Sequence, residues 1–124
     1  MKEAIKTEGL AALGPYSVAI KKNDTIYLSG QIAFDFETQE LLGRDVKEQT
    51  SVVMKNIQLI LSSVYYSLDD IVKTTIFLKN MRDFVTVNEV YASFLSAPYP
   101  ARSTVEVARL PKDALIEIEV IAQK

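Results

Sequence analysis

The carboxyl-terminal run Leu115-Ile116-Glu117-Ile118-Glu119-Val120-Ile121 alternates apolar and acidic residues. A β-strand turns successive side chains to opposite faces, so Glu117 and Glu119 share one face, and Ile116, Ile118 and Val120 the other. In the preceding β-like run, 101–108, Arg102, Thr104 and Glu106 fall on one side, with Ser103, Val105 and Val107 opposite. A guanidinium offers a planar fork of donors that fits a carboxylate in bidentate geometry. A glutamate can position or deprotonate water. Together the two groups would suit a small carboxylic acid. The outcome depends on pairing: if the two runs form a hairpin whose paired positions sum to an odd number, Arg102 and Thr104 join Glu117 and Glu119 on one face, within cross-strand reach. An even sum puts the two sets on opposite faces. The same residues also fit an exposed ion pair of little stabilising worth.

What the chain lacks narrows the chemistry further. It has no cysteine and no histidine, which removes disulfides, thiol nucleophiles, Ser-His-Asp triads and nearly every zinc site. The 4 glycines are scattered and form no phosphate-cradling loop, so a nucleotide cofactor is not expected. Lysine and arginine total 14 against 16 acidic residues, and the net charge of −2 gives no global attraction to nucleic acid. The one dense cationic pair, Lys21-Lys22, reads as part of a solvated turn. The amino terminus, Met1 to Lys6, is charged and holds no long apolar run, so a soluble, cytoplasmic protein without a membrane span is expected.

These candidate residues need elements to position them. The 124 residues, 48% hydrophobic and 24% charged, suit one folded domain over 1–124. Runs 16–20 and 25–29 flank Lys21-Lys22-Asn23-Asp24 and read as a hairpin. Residues 34–43 read as a loop with room for a short strand. From Val46, apolar residues at 53, 54, 57, 60, 61 and 64 recur at helical spacing, with Asp45 and Glu48 placed as a capping-box-like start. Run 71–79 suits a strand. Phe84, Val87, Tyr91, Phe94 and Leu95 form the stripe of a second helix, which Pro98 and Pro100 end. Two final β-like runs, joined across 109–113, read as a second hairpin. The order β-β-α-β-α-β-β predicts an α+β fold in which one mixed sheet carries both helices on one face. Its other face, left bare, predicts association of the chain with copies of itself.

Several blocks carry a wider likeness. Taken alone, Gly14-Pro15-Tyr16-Ser17 reads as a turn opening a strand, Ser29-Gly30-Gln31 as a strand end, and Asn88 as one amide on a helix. Read together with Asp70 to Thr75, Val87-Asn88-Glu89-Val90-Tyr91, Pro100-Ala101-Arg102-Ser103, Val105 to Asp113 and Ile116-Glu117-Ile118-Glu119, they resemble the Rid (reactive intermediate deaminase, YjgF-type) family, and its RidA subgroup most, across nearly the whole chain. The resemblance implies a chorismate-mutase-like fold closed into a homotrimer, sheets inward as a central barrel and helices outside. It implies cofactor-free hydrolysis of enamines and imines such as 2-aminoacrylate, 2-iminopropanoate and 2-iminobutanoate to 2-keto acids and ammonia. By position, Arg102 would bind the substrate carboxylate and Glu117 would orient water and move protons. Tyr16, Ser29 and Gly30 would line the pocket, and Asn88 and Thr104 would complete its walls, some of these groups coming from an adjacent subunit. A regulatory trimer that binds keto acids or amino acids, or a translation inhibitor directed at RNA, are the other activities the likeness brings with it. Two departures stand out: Thr104 occupies a position where many RidA members have cysteine, and Tyr65-Tyr66 follow the first helix without a glycine cap.

Overall fold

The computed structural model describes residues 1–35 and 37–124. Its strands are β1 (Glu3–Ile5), β2 (Ala19–Lys22), β3 (Thr25–Gln31), β4 (Phe34–Asp35), β5 (Glu40–Leu41), β6 (Ile71–Leu78), β7 (Ala101–Glu106) and β8 (Ile116–Gln123). Two helices, α1 (Val46–Ser62) and α2 (Phe84–Phe94), separate them, in the α+β order expected. The hairpin of β2 and β3 turns through Asn23, whose φ of 55° uses the left-handed tolerance of asparagine. Within the stretch read as a loop, β4 and β5 pair as a short ladder; Phe36 lies outside the described residues. The edge strand β1 was not anticipated, because three residues are too few to show a period.

The main sheet runs β1-β2-β3-β8-β6-β7. The expected pairing of the last two strands does not occur: β6 lies between them, parallel to β7 and antiparallel to β8. The physical reason is in the side chains. β6 and β8 each bury alternate residues toward the helices, whereas no residue of β7 is fully buried. A strand that turns polar side chains, Arg102, Thr104 and Glu106, toward the helices suits an edge, where one side meets solvent. Residues 107–115 span the end of β6. Val107 N–H donates to Leu78 O (2.9 Å), and Lys79 N–H to Leu115 O (3.1 Å). Two strand spacings amount to about 10 Å, a distance that this length of chain covers easily.

Both helices pack on one face of the sheet. α1 presents Val46, Val53, Met54, Ile57, Ile60 and Leu61, at the i, i+3, i+4 spacing read from the sequence, against Ile26, Leu28, Ile116, Ile118 and Val120. Asp45 caps α1, its Oδ1 accepting from Glu48 N–H at 2.9 Å. Gln49 is buried among these apolar groups and satisfied at both ends, accepting from Leu115 N–H (3.0 Å) and donating to Gly43 O (3.3 Å). The opposite sheet face carries Tyr27, Thr75, Phe77, Val105, Glu117 and Glu119, with no element over it among the described residues; Tyr27 is 49% exposed and Val105 43%. Among the described residues no helix is long and apolar enough to cross a membrane.

The end of α1 explains the missing glycine. Tyr65 adopts φ 65°, and Tyr66 N–H donates to Leu61 O (2.9 Å) while Tyr65 N–H donates to Ser62 O (3.1 Å), the two bonds of a Schellman cap. Tyr65 thus holds a left-handed position that a Cβ disfavours by about 1–2 kcal/mol, and its side chain is 89% exposed. Tyr65→Gly should therefore stabilise the fold. After subtraction of roughly 0.5–1 kcal/mol for the extra freedom glycine gives the unfolded chain, a net gain of about 0.5–1 kcal/mol should appear in denaturant unfolding. A variant less stable than the parent would refute this account of the cap.

Candidate functional site

The first cluster forms where β3 departs from its register with β8. Leu28 pairs with Val120 and Gln31 with Ile118, so Ser29 and Gly30 together oppose Glu119 in a bulge. The bulge turns Gly30 under the side chain of Glu117. A Cβ built on Gly30 would stand 2.7 Å from both Cδ and Oε1 of Glu117. The glycine is required by close approach, since its φ is ordinary. Ser29 is tied down on both sides, its hydroxyl donating to Ser17 O (2.6 Å) and its N–H to Val18 O (2.9 Å). A mostly apolar cavity of about 300 Å³ opens beside Gly30, lined by Leu10, Leu13, Tyr16, Ile32 and Phe34 among others. Tyr16 stands at this cavity, 54% exposed.

Glu117 makes no hydrogen bond or ion pair among the described residues. It is half-buried, and that burial first, then the like charge of Glu119, pushes its carboxyl above the usual range. A carboxyl in this state is adapted to exchange a proton nearer neutrality than an exposed one.

The second cluster forms on the other face of the sheet. In register, Arg102 stands opposite Thr74, and Thr74 opposite Val120, all toward the helices. Arg102 Nη1 donates to Asn88 Oδ1 at 2.7 Å. Its guanidinium carbon lies 5.5 Å from the centre of the Phe84 ring and 5.2 Å from that of Tyr91. The hydroxyls of Tyr91 and Thr74 are hydrogen-bonded at 2.8 Å. Burial raises the Tyr91 phenol, opposed by the Thr74 hydrogen bond and the charge of Arg102. An open cavity of about 480 Å³ is lined by Asn88, Tyr91, Ala92, Tyr99, Pro100 and Arg102. Two residues along β7, the Thr104 hydroxyl is buried without a hydrogen-bond partner among the described residues. Arg102 meets no carboxylate among the described residues.

Within one chain, then, Arg102 and Glu117 do not share a face. The odd-sum pairing that would have united them is replaced by a central β6, which turns Arg102 and Thr104 toward the helices and Glu117 and Glu119 away. The candidate residues divide into Tyr16, Ser29, Gly30 and Glu117 on one side, and Asn88, Arg102 and Thr104 on the other. Phe84 and Tyr91 were missed as partners of Arg102. Their signal lay in the spacing, since 84, 88 and 91 stand at i, i+4 and i+7 on one helix face. Among the described residues no group of three or more acidic side chains converges as metal ligands would.

Comparison with known proteins gives a consistent answer. Residues 6–124 match the family model described as Endoribonuclease L-PSP. A RutC family protein of Pyrococcus horikoshii is 50% identical over 100% of this chain and 99% of its own. The chloroplastic Reactive Intermediate Deaminase A of Arabidopsis thaliana is 49% identical over 98% of this chain and 65% of its own. A 2-iminobutanoate/2-iminopropanoate deaminase of Dermatophagoides farinae is 39% identical over 88% and 85%. Among solved structures, a conserved Rid family protein of Yersinia pestis superposes with a TM-score of 0.94 at 46% identity, covering 100% of both chains. The E. coli protein TdcF, solved with bound serine, superposes with a TM-score of 0.92 at 39% identity, covering 98% of each. The chain belongs to the Rid family, the YjgF/RutC group to which these proteins are assigned.

Proposed function

We propose that this chain hydrolyses small 2-imino acids and their enamine tautomers, such as 2-iminopropanoate and 2-iminobutanoate, to 2-keto acids and ammonia, at sites formed between the subunits of a homotrimer. The observation that carries the proposal is the division of the site. Among the described residues, one sheet face ends in a guanidinium with no carboxylate partner, the other in a half-buried carboxyl with no hydrogen-bond or ion-pair partner. Rotational assembly brings the Arg102 cluster of one copy to the Glu117 cluster of the next, which a single chain cannot do. The uncovered sheet face, with Tyr27 and Val105 exposed, supports the same assembly. The names of the Arabidopsis and Dermatophagoides relatives, and the serine bound by TdcF, support a small amino-acid-derived ligand.

In this reading the enamine first takes a proton at carbon and gives one up from nitrogen, to solvent, to become the imine. Arg102 grips the carboxylate through paired N–H donors. Asn88 and Thr104 bound the pocket on the Arg102 side, Tyr16, Ser29 and Gly30 on the other. Glu117 orients a water molecule, whose oxygen attacks the C=N carbon while its proton passes to the carboxylate. That proton is returned to the nitrogen to give the carbinolamine; the same carboxylate then relays the hydroxyl proton to the nitrogen as the C–N bond breaks, ammonia leaves and the C=O bond forms. An imine carbon is already electrophilic, so positioning plus acid–base help of about 10²–10⁴-fold suffices without a covalent nucleophile.

A dehydratase that generates 2-aminoacrylate or its four-carbon homologue provides the test, with keto-acid appearance as the readout. The protein should accelerate release. Arg102→Ala should lower kcat/KM by roughly 10- to 100-fold, the loss of a charge-assisted contact, and Glu117→Gln should lower kcat by about 10²–10⁴-fold. Absence of acceleration together with saturable 2-ketobutyrate binding would replace the enzyme by a ligand-sensing module.

Gly30→Ala should displace the Glu117 carboxyl, because its new Cβ meets the movable end of that side chain. Turnover should fall at least tenfold, since misplacing a reacting group by about 1 Å costs on the order of 10²-fold, while the unfolding midpoint changes little. Equal turnover in parent and variant would show that Glu117 needs no such placement.

The raised carboxyl of Glu117 also predicts a pH effect on stability. Its folded state holds the proton more tightly than the unfolded chain, so its effect is neutral below the unfolded pKa and destabilising as pH rises through the folded one. Glu117→Gln should thus be more stable than the parent at neutral pH, with the difference vanishing below about pH 4. A constant difference across that range in thermal unfolding would contradict the assignment.

A further inference from the structure

We propose that Phe84 and Tyr91 are the positioning residues of the carboxylate site, an aromatic clamp that sets the guanidinium plane of Arg102 before ligand arrives. The proposal rests on the reading that Arg102 binds a substrate carboxylate, and it names what gives that arginine its geometry.

The clamp is built from two elements. Helix α2 brings Phe84, Asn88 and Tyr91 onto one stripe, ring, amide and ring at successive turns. β7, at the sheet edge, delivers Arg102 into that stripe from the side. The guanidinium carbon stands 5.5 Å from one ring centre and 5.2 Å from the other, both inside the roughly 6 Å at which a cation feels the negative face of an aromatic ring. Asn88 takes one Nη1 hydrogen at 2.7 Å. The remaining donors of the fork have no partner among the described residues.

The two rings differ in how they are held. Tyr91 is 5% exposed, and its hydroxyl is tethered to that of Thr74 at 2.8 Å. Thr74 is the residue directly opposite Arg102 in the β6–β7 ladder, so the strand paired with that of the arginine anchors the ring beside it. Phe84 is 37% exposed and forms the outer wall. An arginine without a carboxylate partner would otherwise sample many rotamers; two ring faces and one amide restrict it at no cost in charge neutralisation. The side-chain ordering that binding normally demands is already complete in the free protein. Because the clamp serves substrate and transition state alike, its loss should appear in KM more than in kcat.

The experiment measures 2-ketobutyrate affinity by calorimetry and imine turnover for the same proteins. Phe84→Leu keeps a half-exposed apolar side chain without a π face; it should raise both Kd and KM by roughly 2- to 6-fold and leave kcat within about twofold. Tyr91→Phe keeps the ring and drops only the Thr74 tether, and it should retain most of the affinity that Tyr91→Leu loses. In an Arg102→Ala background, Phe84→Leu should change kcat/KM no further, since a residue acting through Arg102 has nothing left to position. Turnover by the parent with Kd and KM unmoved in Phe84→Leu overturns the clamp and leaves the deaminase reading intact. Phe84-dependent binding without turnover overturns the deaminase reading and leaves the clamp. An additive loss in the Arg102→Ala background also overturns the clamp, because it would mark Phe84 as acting on the fold alone.

Discussion

A strand whose every second side chain is apolar cannot stand at a sheet edge without leaving part of that stripe in water. β6 offers Thr74, Ile76 and Leu78 to the helices and buries all of them, whereas β7 offers Arg102, Thr104 and Glu106 and buries none. That difference places β6 inside and β7 outside. It also decides the electrostatics of the molecule, because once β6 separates β7 from β8, the register turns Arg102 and Glu117 to opposite faces. A purely hydrophobic constraint thereby keeps apart two opposite charges that adjacency in sequence would have paired.

The two charges are accommodated by different physics. Arg102 stands at the edge, where a weakly hydrated guanidinium can exchange water for ring faces and an amide oxygen. Glu117 lies over a glycine with no hydrogen-bond partner among the described residues, and its partial desolvation is answered by a shift toward the protonated form. Neither solution suits the other group. A carboxylate over ring faces would be repelled by their quadrupoles, and a guanidinium does not shed its proton in a protein.

What the sequence disclosed follows from how local each interaction is. The stripe of α1 from Val46 to Leu61 and the Glu117/Glu119 alternation are periodic, so they could be read directly and the structure agrees. The Gly30 bulge is a register shift, and no period announces where two residues will oppose one. The Schellman cap at Tyr65 carries the wrong residue for its φ, so a rule that looks for glycine passes over it. The two last strands, neighbours in sequence, are parted by β6 because burial outweighs proximity along the chain. The polar side chains of β7 already argued for an edge, and the segment 107–115 was long enough to cross a strand. Phe84 and Tyr91 belong to the apolar stripe that the spacing gives α2, and Tyr91 is core; its second role appears only when Arg102 arrives from a distant strand.

The proposed assembly gives the raised carboxyl of Glu117 a chemical meaning. If the Arg102 of a neighbouring copy holds the substrate carboxylate close by, that carboxylate is nearly neutralised by the guanidinium, and Glu117 then senses a compact ion pair more than a net charge. Its protonation continues to be governed by burial and by Glu119, the two causes already acting in the single chain. Attack by water requires the ionised form, whereas expulsion of ammonia requires a proton on nitrogen, so the same group must hold and release one proton within a turnover. A carboxyl of ordinary acidity accepts that proton poorly near neutrality, and a fully buried one would not give it up. Half burial over Gly30, with one like charge two residues along β8, lies between these extremes, which is the condition acid–base efficiency sets for a group that serves in both directions.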